Sequence, residues 1–150
     1  ALEAKPERFD IAALVETVVD ERADLGNTVA YDGPASFVTE GRAGAMKRAL
    51  ANLIDNAISY GGNAEVRLTV TDERIEITVA DEGPGIPADR LEDVFRPFVR
   101  LEASRSRETG GAGLGLAVVR DIARAHGGDV TLRNRPIRGL EAILTLPRIA

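Results

Sequence analysis

The chain contains no cysteine, which excludes disulfide and thiolate chemistry. It has a single histidine, His126, set before Gly127 and Gly128 at the end of a helical run. Helix capping or a dipole role accounts for that position better than catalysis. No apolar run approaches the length of a membrane span and no signal-peptide pattern opens the sequence, so the chain as it stands reads as cytoplasmic. A formal net charge of -5 argues against general affinity for nucleic acid or anionic membrane, although a local basic patch can still grip phosphates. A P-loop is missing too. The glycines from Gly110 to Gly115 are followed by no Gly-Lys-Ser/Thr, and the polar run before them is no strand, which rules out the Walker and Rossmann patterns.

What remains is one ordinary domain: 150 residues, 44% apolar and 29% charged, suffice for a real core. The opening ALEAKPERFD lacks a start methionine and reads as a cut made inside a longer polypeptide. Asp10 is placed to cap a helix in which Ile11, Leu14, Val15, Val18 and Val19 recur at helical spacing up to about Gly26. Short extended pieces are expected at Thr28–Tyr31 and Ser36–Thr39, separated by the turn signal DGP. A second helix starts near Ala43 and clusters Met46, Leu50, Leu53, Ile54 and Ala57 on one face. Alternation at Val66, Leu68 and Val70, then Ile75, Ile77 and Val79, predicts an antiparallel hairpin. A short helix over Ala88–Val94 leads to Phe95 and Phe98. The third helix follows the last glycines, with a stripe of Leu114, Ala117, Val118, Ile122 and Ala125. A final hairpin pairs Val130–Arg133 with Leu140–Leu146 across NRPIRG.

The stretch from Asp81 to Leu116 organises all of this. The parity of Ile75, Ile77 and Val79 puts Asp81 on the same inward face, and a buried carboxylate costs several kcal/mol unless a donor meets it. Either a protein group or a ligand amine must therefore stand opposite. Gly83 and Gly85 leave room for a ligand, while Pro84 and Pro87 stiffen the turn. Asn52 and Asn56 lie one helical turn apart and share a flank. They are either partly exposed polar residues or, given the glycine-rich turn, a wall whose carboxamide oxygen suits magnesium. Tyr60 is either a base or ribose neighbour or a half-buried helix-end tyrosine. The Arg-rich run VRLEASRSRETGG is either a plain connector or a lid whose Arg100, Arg105 and Arg107 close over phosphates. The helix N-terminus after the glycines can receive an anion without any lysine.

Taken together, NLIDNA (Asn52–Ala57), DEGPGIP (Asp81–Pro87), FRPF (Phe95–Phe98) and GAGLGL (Gly111–Leu116) resemble, in order, the N, G1, F and G2 boxes of the ATP-binding catalytic domain of bacterial sensor histidine kinases. The resemblance covers nearly the whole chain. It implies an α+β fold, the Bergerat two-layer sandwich, with a mixed sheet covered on one face by three helices and ATP held between the layers. It implies that Asp81 accepts from the adenine amino group and that Gly83 and Gly85 allow close approach to the base, with Ile86 and Tyr60 counted among the nucleotide-binding residues. Asn56 then matches the magnesium ligand, and Asn52, Asn56 and Arg100 the catalytic positions beside the phosphates. Arg105 and the run Gly111, Ala112, Gly113, Leu114, Gly115 and Leu116 match the phosphate loop and its lid. At Ser59 the family commonly carries a basic residue, for which Arg100 or Arg105 can compensate.

The same resemblance implies partners. No helix here carries a phosphoacceptor histidine, so the acceptor belongs to a separate helical dimerisation domain, with residues 1–9 as the remnant of the junction to it. A response regulator receiver domain is expected downstream and nucleic acid is not. The fragment is expected to be monomeric, and the full-length protein a homodimer whose cytoplasmic catalytic part belongs to an inner-membrane sensor. Relatives that hydrolyse ATP, such as gyrase, Hsp90 and MutL proteins, and the anti-sigma serine kinases, generally carry Glu where this chain has Asn52. A carboxamide cannot take a proton at neutral pH, which favours transfer to a histidine. A nucleotide-sensing module without transfer activity is the other class the motifs allow.

Overall fold

The computed structural model describes residues 5–96 and 115–149. Within them, Asp10 does what its position suggests and more. It closes strand β1 (Glu7–Asp10) and caps helix α1 (Ile11–Asp24). Its Oδ1 accepts from the backbone N–H of Ala13 at 3.0 Å and of Phe37 at 2.9 Å, and its Oδ2 from the Ser36 hydroxyl at 2.6 Å. One side chain thus satisfies an orphan donor of the helix and fixes the entry to strand β3 (Val38–Gly41), which pairs antiparallel with β1.

Helix α2 (Ala43–Gly61) buries Met46, Leu50, Leu53, Ile54 and Ala57, the face its spacing defines, and α1 buries Ile11, Val15, Val18 and Val19 beside it. The Arg22 guanidinium grips Asp55 through Nε at 2.9 Å and Nη2 at 3.0 Å, a fork that ties the two helices. The N-cap of α2, Arg42, makes no side-chain capping bond. His126, which follows helix α3 (Leu116–Ala125), serves that end instead: its Nε2 accepts the Arg42 N–H at 3.0 Å, while Nδ1 bonds the Ile122 carbonyl at 2.8 Å. The expected capping role is real, but it acts across the fold.

Under the helices lies a five-stranded sheet in the order β2-β4-β5-β7-β6, comprising β2 (Val29–Asp32), β4 (Ala64–Val70), β5 (Arg74–Ala80), β6 (Asp129–Asn134) and β7 (Leu140–Pro147). β2 runs parallel to β4 and the other neighbours are antiparallel, so the sheet is mixed. Val66, Leu68, Ile75, Ile77, Val79, Val130, Leu132, Leu144 and Leu146 face the helices in one continuous core. Glu65, Arg67, Thr69, Thr131 and Arg133 point the other way into solvent. This is the α+β sandwich expected, covered on one face by three helices.

Three local expectations are corrected. The helix at Ala88–Val94 is instead a pair of 3-10 turns, Ala88–Arg90 and Asp93–Phe95. The stripe of α3 is Leu116, Val119, Ile122 and Ala123, with Ala117 and Val118 half-buried and Ala125 exposed. The apolar run from Leu114 to Val119 admits two phases about 100° apart, and the helix takes the one that sends Leu116 and Val119 inward. The extended pieces run one or two residues later than expected, and the second pairs with β1 at Glu7–Asp10, a strand where only a junction was expected.

Replacing Asp10 with Ala should cost about 1–3 kcal/mol in urea unfolding, since a cap is lost and Phe37 N–H is left half-buried without its acceptor. The Ser36 hydroxyl, with the Phe37 and Ala13 amides, holds the Asp10 carboxyl below its usual value. A depressed folded-state value means this stability is present above the ordinary carboxylate range and is lost as pH falls through the lowered value. An Asp10→Ala protein as stable as the wild type at neutral pH would contradict this role.

Candidate functional site

Asp81 follows the last residue of β5 and is only 5% exposed. Its backbone N–H donates to Leu140 O at 2.9 Å, which continues the β5–β7 ladder by one step. Its Oδ1 accepts from Gly83 N at 2.8 Å and from Leu140 N at 3.2 Å. Oδ2 has no protein donor among the described residues. Burial pushes the Asp81 carboxyl up, opposed by the two backbone donors and by the charge of Arg135. The result is a half-satisfied inward carboxylate with one acceptor oxygen to offer.

Glycines let the neighbouring backbone come this close. A Cβ on Gly61, the last residue of α2, would run into the Asp81 side chain itself. One on Gly83 would stand 2.5 Å from Gly61 Cα and 2.7 Å from Tyr60 O. Gly61 and Gly83 therefore let the end of α2 pack directly on the turn after β5. Gly85 has φ +79°, a left-handed conformation that favours glycine. Room for a ligand was expected at Gly83 and Gly85, but the space a side chain would fill is taken by protein, by Gly61 and Tyr60 at the first and by Asn134 at the second. Ile86 is 5% exposed and belongs to the core. Tyr60 is partly buried against that core.

Asn52 and Asn56 occupy one flank of α2, both half-buried. Asn52 Nδ2 donates to Gly115 O at 3.1 Å, so the first asparagine holds the left-handed N-cap of α3. Leu116, the first residue of that helix, is buried. On the far side, the Arg120 guanidinium stacks 3.5 Å from the centroid of the Phe95 ring. It also pairs with Glu92 at 3.0 Å and donates to Val130 O at 3.0 Å. That contact fastens the 3-10 turn carrying Phe95 to α3 and β6, and holds the Glu92 carboxyl below its usual value. Phe98, Arg100, Arg105, Arg107, Gly110, Gly111, Ala112, Gly113 and Leu114, and with them the lid, lie outside the described residues.

Sequence reasoning missed a second set of residues. Asn63 Oδ1 accepts from Glu82 N at 3.0 Å, Arg135 Nη1 donates to Asp81 O at 2.8 Å, and Arg138 Nε donates to Glu82 O at 2.6 Å. Asn134 takes Ile86 N on Oδ1 at 2.9 Å and gives Nδ2 to Ile86 O at 2.7 Å. In the sequence, NRPIRG signals only a turn. Among the described residues no cluster of three or more His, Cys, Asp or Glu could cage a metal, so a cation here would rely on a ligand's phosphates and water. Asn56, with a neutral carboxamide oxygen on the same helical flank as Asn52, fits such a sparing role.

Comparison with known proteins agrees with this architecture. The chain belongs to the histidine kinase-, DNA gyrase B- and HSP90-like ATPase family, whose model matches residues 41–150. It is 39% identical over 143 residues to the sensor histidine kinase GtrS of Pseudomonas aeruginosa, covering 95% of this chain and 29% of GtrS. It is 30% identical to the histidine kinase domain of the Escherichia coli osmosensor EnvZ, with a TM-score of 0.75, covering 100% of this chain and 94% of that domain. The catalytic domain of the histidine kinase ThkA shares the fold at a TM-score of 0.82 and 23% identity, over 97% of this chain and 99% of that one. The chain thus spans under a third of the length of GtrS.

Asp81→Asn keeps an oxygen for Gly83 and Leu140 and removes the buried charge. Because the folded-state value of Asp81 is raised, the contribution of this one carboxyl to stability is fully present below the ordinary carboxylate range and is lost as pH rises through the raised value. Thermal melts of nucleotide-free protein across pH should therefore show the variant at or above wild type at neutral pH, without that fall. A clear loss of stability at neutral pH would mean the negative charge itself holds the turn together.

Proposed function

We propose that this chain is the catalytic, ATP-binding part of a sensor histidine kinase. It binds ATP with magnesium and passes the γ-phosphoryl group to a histidine on a separate helical dimerisation domain. The observation that carries this is the Asp81 carboxylate, with Oδ1 taken by two backbone amides and Oδ2 left for an amine. Adenine presents such a donor in its exocyclic amino group. Family membership, and likeness to proteins named as sensor histidine kinases, supports the same reading.

In this mechanism the domain binds and orients. Asp81 fixes the base, with Gly83, Gly85 and Ile86 as the wall behind it and Tyr60 beside it. Asn56 would hold a magnesium ion through its carboxamide oxygen, and that ion would neutralise charge on the phosphates. Asn52, Arg100, Arg105 and the run from Gly111 to Leu116 complete the phosphate side. The bond from the γ-phosphorus to the β,γ-bridging oxygen breaks, a bond to an imidazole nitrogen forms, and ADP leaves. A neutral imidazole brings its own lone pair, so no general base is required at position 52, where the hydrolytic relatives carry Glu. Positioning of the acceptor in line with the phosphate contributes most, about 7–11 kcal/mol at best.

Likeness to sensor histidine kinases extends the proposal to partners: the histidine-bearing domain of the same kinase, a receiver domain downstream, and a homodimeric, membrane-anchored parent protein. Among the described residues no helix is long and apolar enough to cross a membrane. His126 is no substitute acceptor, because one ring nitrogen bonds Arg42 N and the other Ile122 O.

With γ-labelled ATP the chain alone should take up almost no label and turn over slowly. Adding the helical domain of its parent kinase should yield acid-labile label on that domain, and Asn56→Ala should abolish it. Asn56→Ala should also weaken ATP binding in calorimetry mainly when magnesium is present. Acid-stable self-labelling, or rapid hydrolysis without a partner, would favour a serine kinase or an ATPase instead.

A further inference from the structure

The turn Asp81–Ile86 is held mostly by residues outside it, and the β6–β7 hairpin supplies the larger share. Leu140 grips Asp81 on both its backbone N–H and its Oδ1, and Arg135 and Arg138 take the carbonyls of Asp81 and Glu82. The other end of the turn is held by Asn134 alone among these residues, through the paired bonds of its carboxamide to Ile86 N and O. That pairing copies the two bonds a neighbouring strand would make, and it is made by the side chain of the last residue of β6.

Asn134 itself is exposed and lies outside the core cluster, so its contribution runs through Ile86. Its approach also depends on the residue before Ile86: a Cβ on Gly85 would stand 2.5 Å from Asn134 Oδ1. The hairpin therefore fixes Asp81 at one end of the turn and Ile86 at the other. Of the two amides that hold Oδ1, and with it the direction of Oδ2, Gly83 belongs to the span between those ends and Leu140 to the hairpin.

We propose that Asn134 is a positioning residue for base selection: through Ile86 it sets the turn so that Asp81 Oδ2 meets a purine 6-amino group, without touching the nucleotide itself. This rests on the reading that Asp81 accepts from adenine. A residue that merely staples the fold would weaken every nucleotide alike, whereas a residue that aims Asp81 acts only on the nucleotide that carries the amine.

The test compares the dissociation constants of magnesium-ATP and magnesium-ITP, the second presenting an oxygen where adenine has its amine. Calorimetry is run on the 150-residue chain well below every melting temperature. Wild type should prefer ATP. Asn134→Ala should weaken ATP about tenfold, the equivalent of one net hydrogen bond, and ITP little, so that the ratio falls toward one. Arg138→Ala, which removes an exposed side chain from Glu82 O, should move the ratio the same way by less. His126→Ala, which removes a bond to Arg42 N elsewhere in the fold, should leave the ratio at its wild-type value. If wild type discriminates and Asn134→Ala lowers both affinities by one factor, or neither, Asn134 does not aim Asp81 and the adenine reading survives. If wild type does not discriminate, the adenine reading falls and this proposal with it.

Discussion

The burial of the Asp81 carboxylate is the constraint on which the rest of the site depends. An ionised group with 5% exposure stands under a desolvation penalty that raises its affinity for a proton, and the fold answers with two backbone donors on one oxygen. Those donors come from the turn that follows β5 and from the start of β7, so the sheet must be complete before the carboxylate is satisfied. The end of α2 must also come down onto it, which Gly61 and Gly83 permit by having no side chains. Helix layer and sheet layer thus meet at one acidic residue, and a ligand amine is the natural complement of the oxygen left over.

A second set of contacts ties together the elements around that point. Asn52 bonds the N-cap of α3, Arg120 clamps the turn carrying Phe95 onto α3 and β6, and His126 joins the end of α3 to the start of α2. Each of these is a polar side chain reaching a backbone group or a ring on a different element. The turn that carries Asp81 is held in the same way, by the end of α2 and by the β6–β7 hairpin.

Period and parity made much of this legible in the sequence. Strict alternation from Ile75 through Val79 carried Asp81 to the inward face, where the structure buries it, and the spacing of Met46 to Ala57 defined the buried face of α2 and hence the flank of Asn52 and Asn56. The hairpins were legible for the same reason. The pairing of β1 with β3 was not, because four-residue strands carry too little alternation to distinguish them from a helix lead-in. The phase of α3 was ambiguous because its apolar residues run consecutively. Asn134, Arg135 and Arg138 were illegible for a different reason. They act by side-chain bonds to backbone about fifty residues away, for which a turn sequence has no periodic signature.

The most direct measurement is a crystal structure of the chain with a non-hydrolysable ATP analogue and magnesium. The account predicts the adenine amino nitrogen about 2.7–3.2 Å from Asp81 Oδ2, with Oδ1 still bonded to Gly83 and Leu140 and the turn through Ile86 unmoved. A nucleotide whose base lies away from Asp81, or a turn rebuilt so that Gly83 and Leu140 release Oδ1, would contradict it.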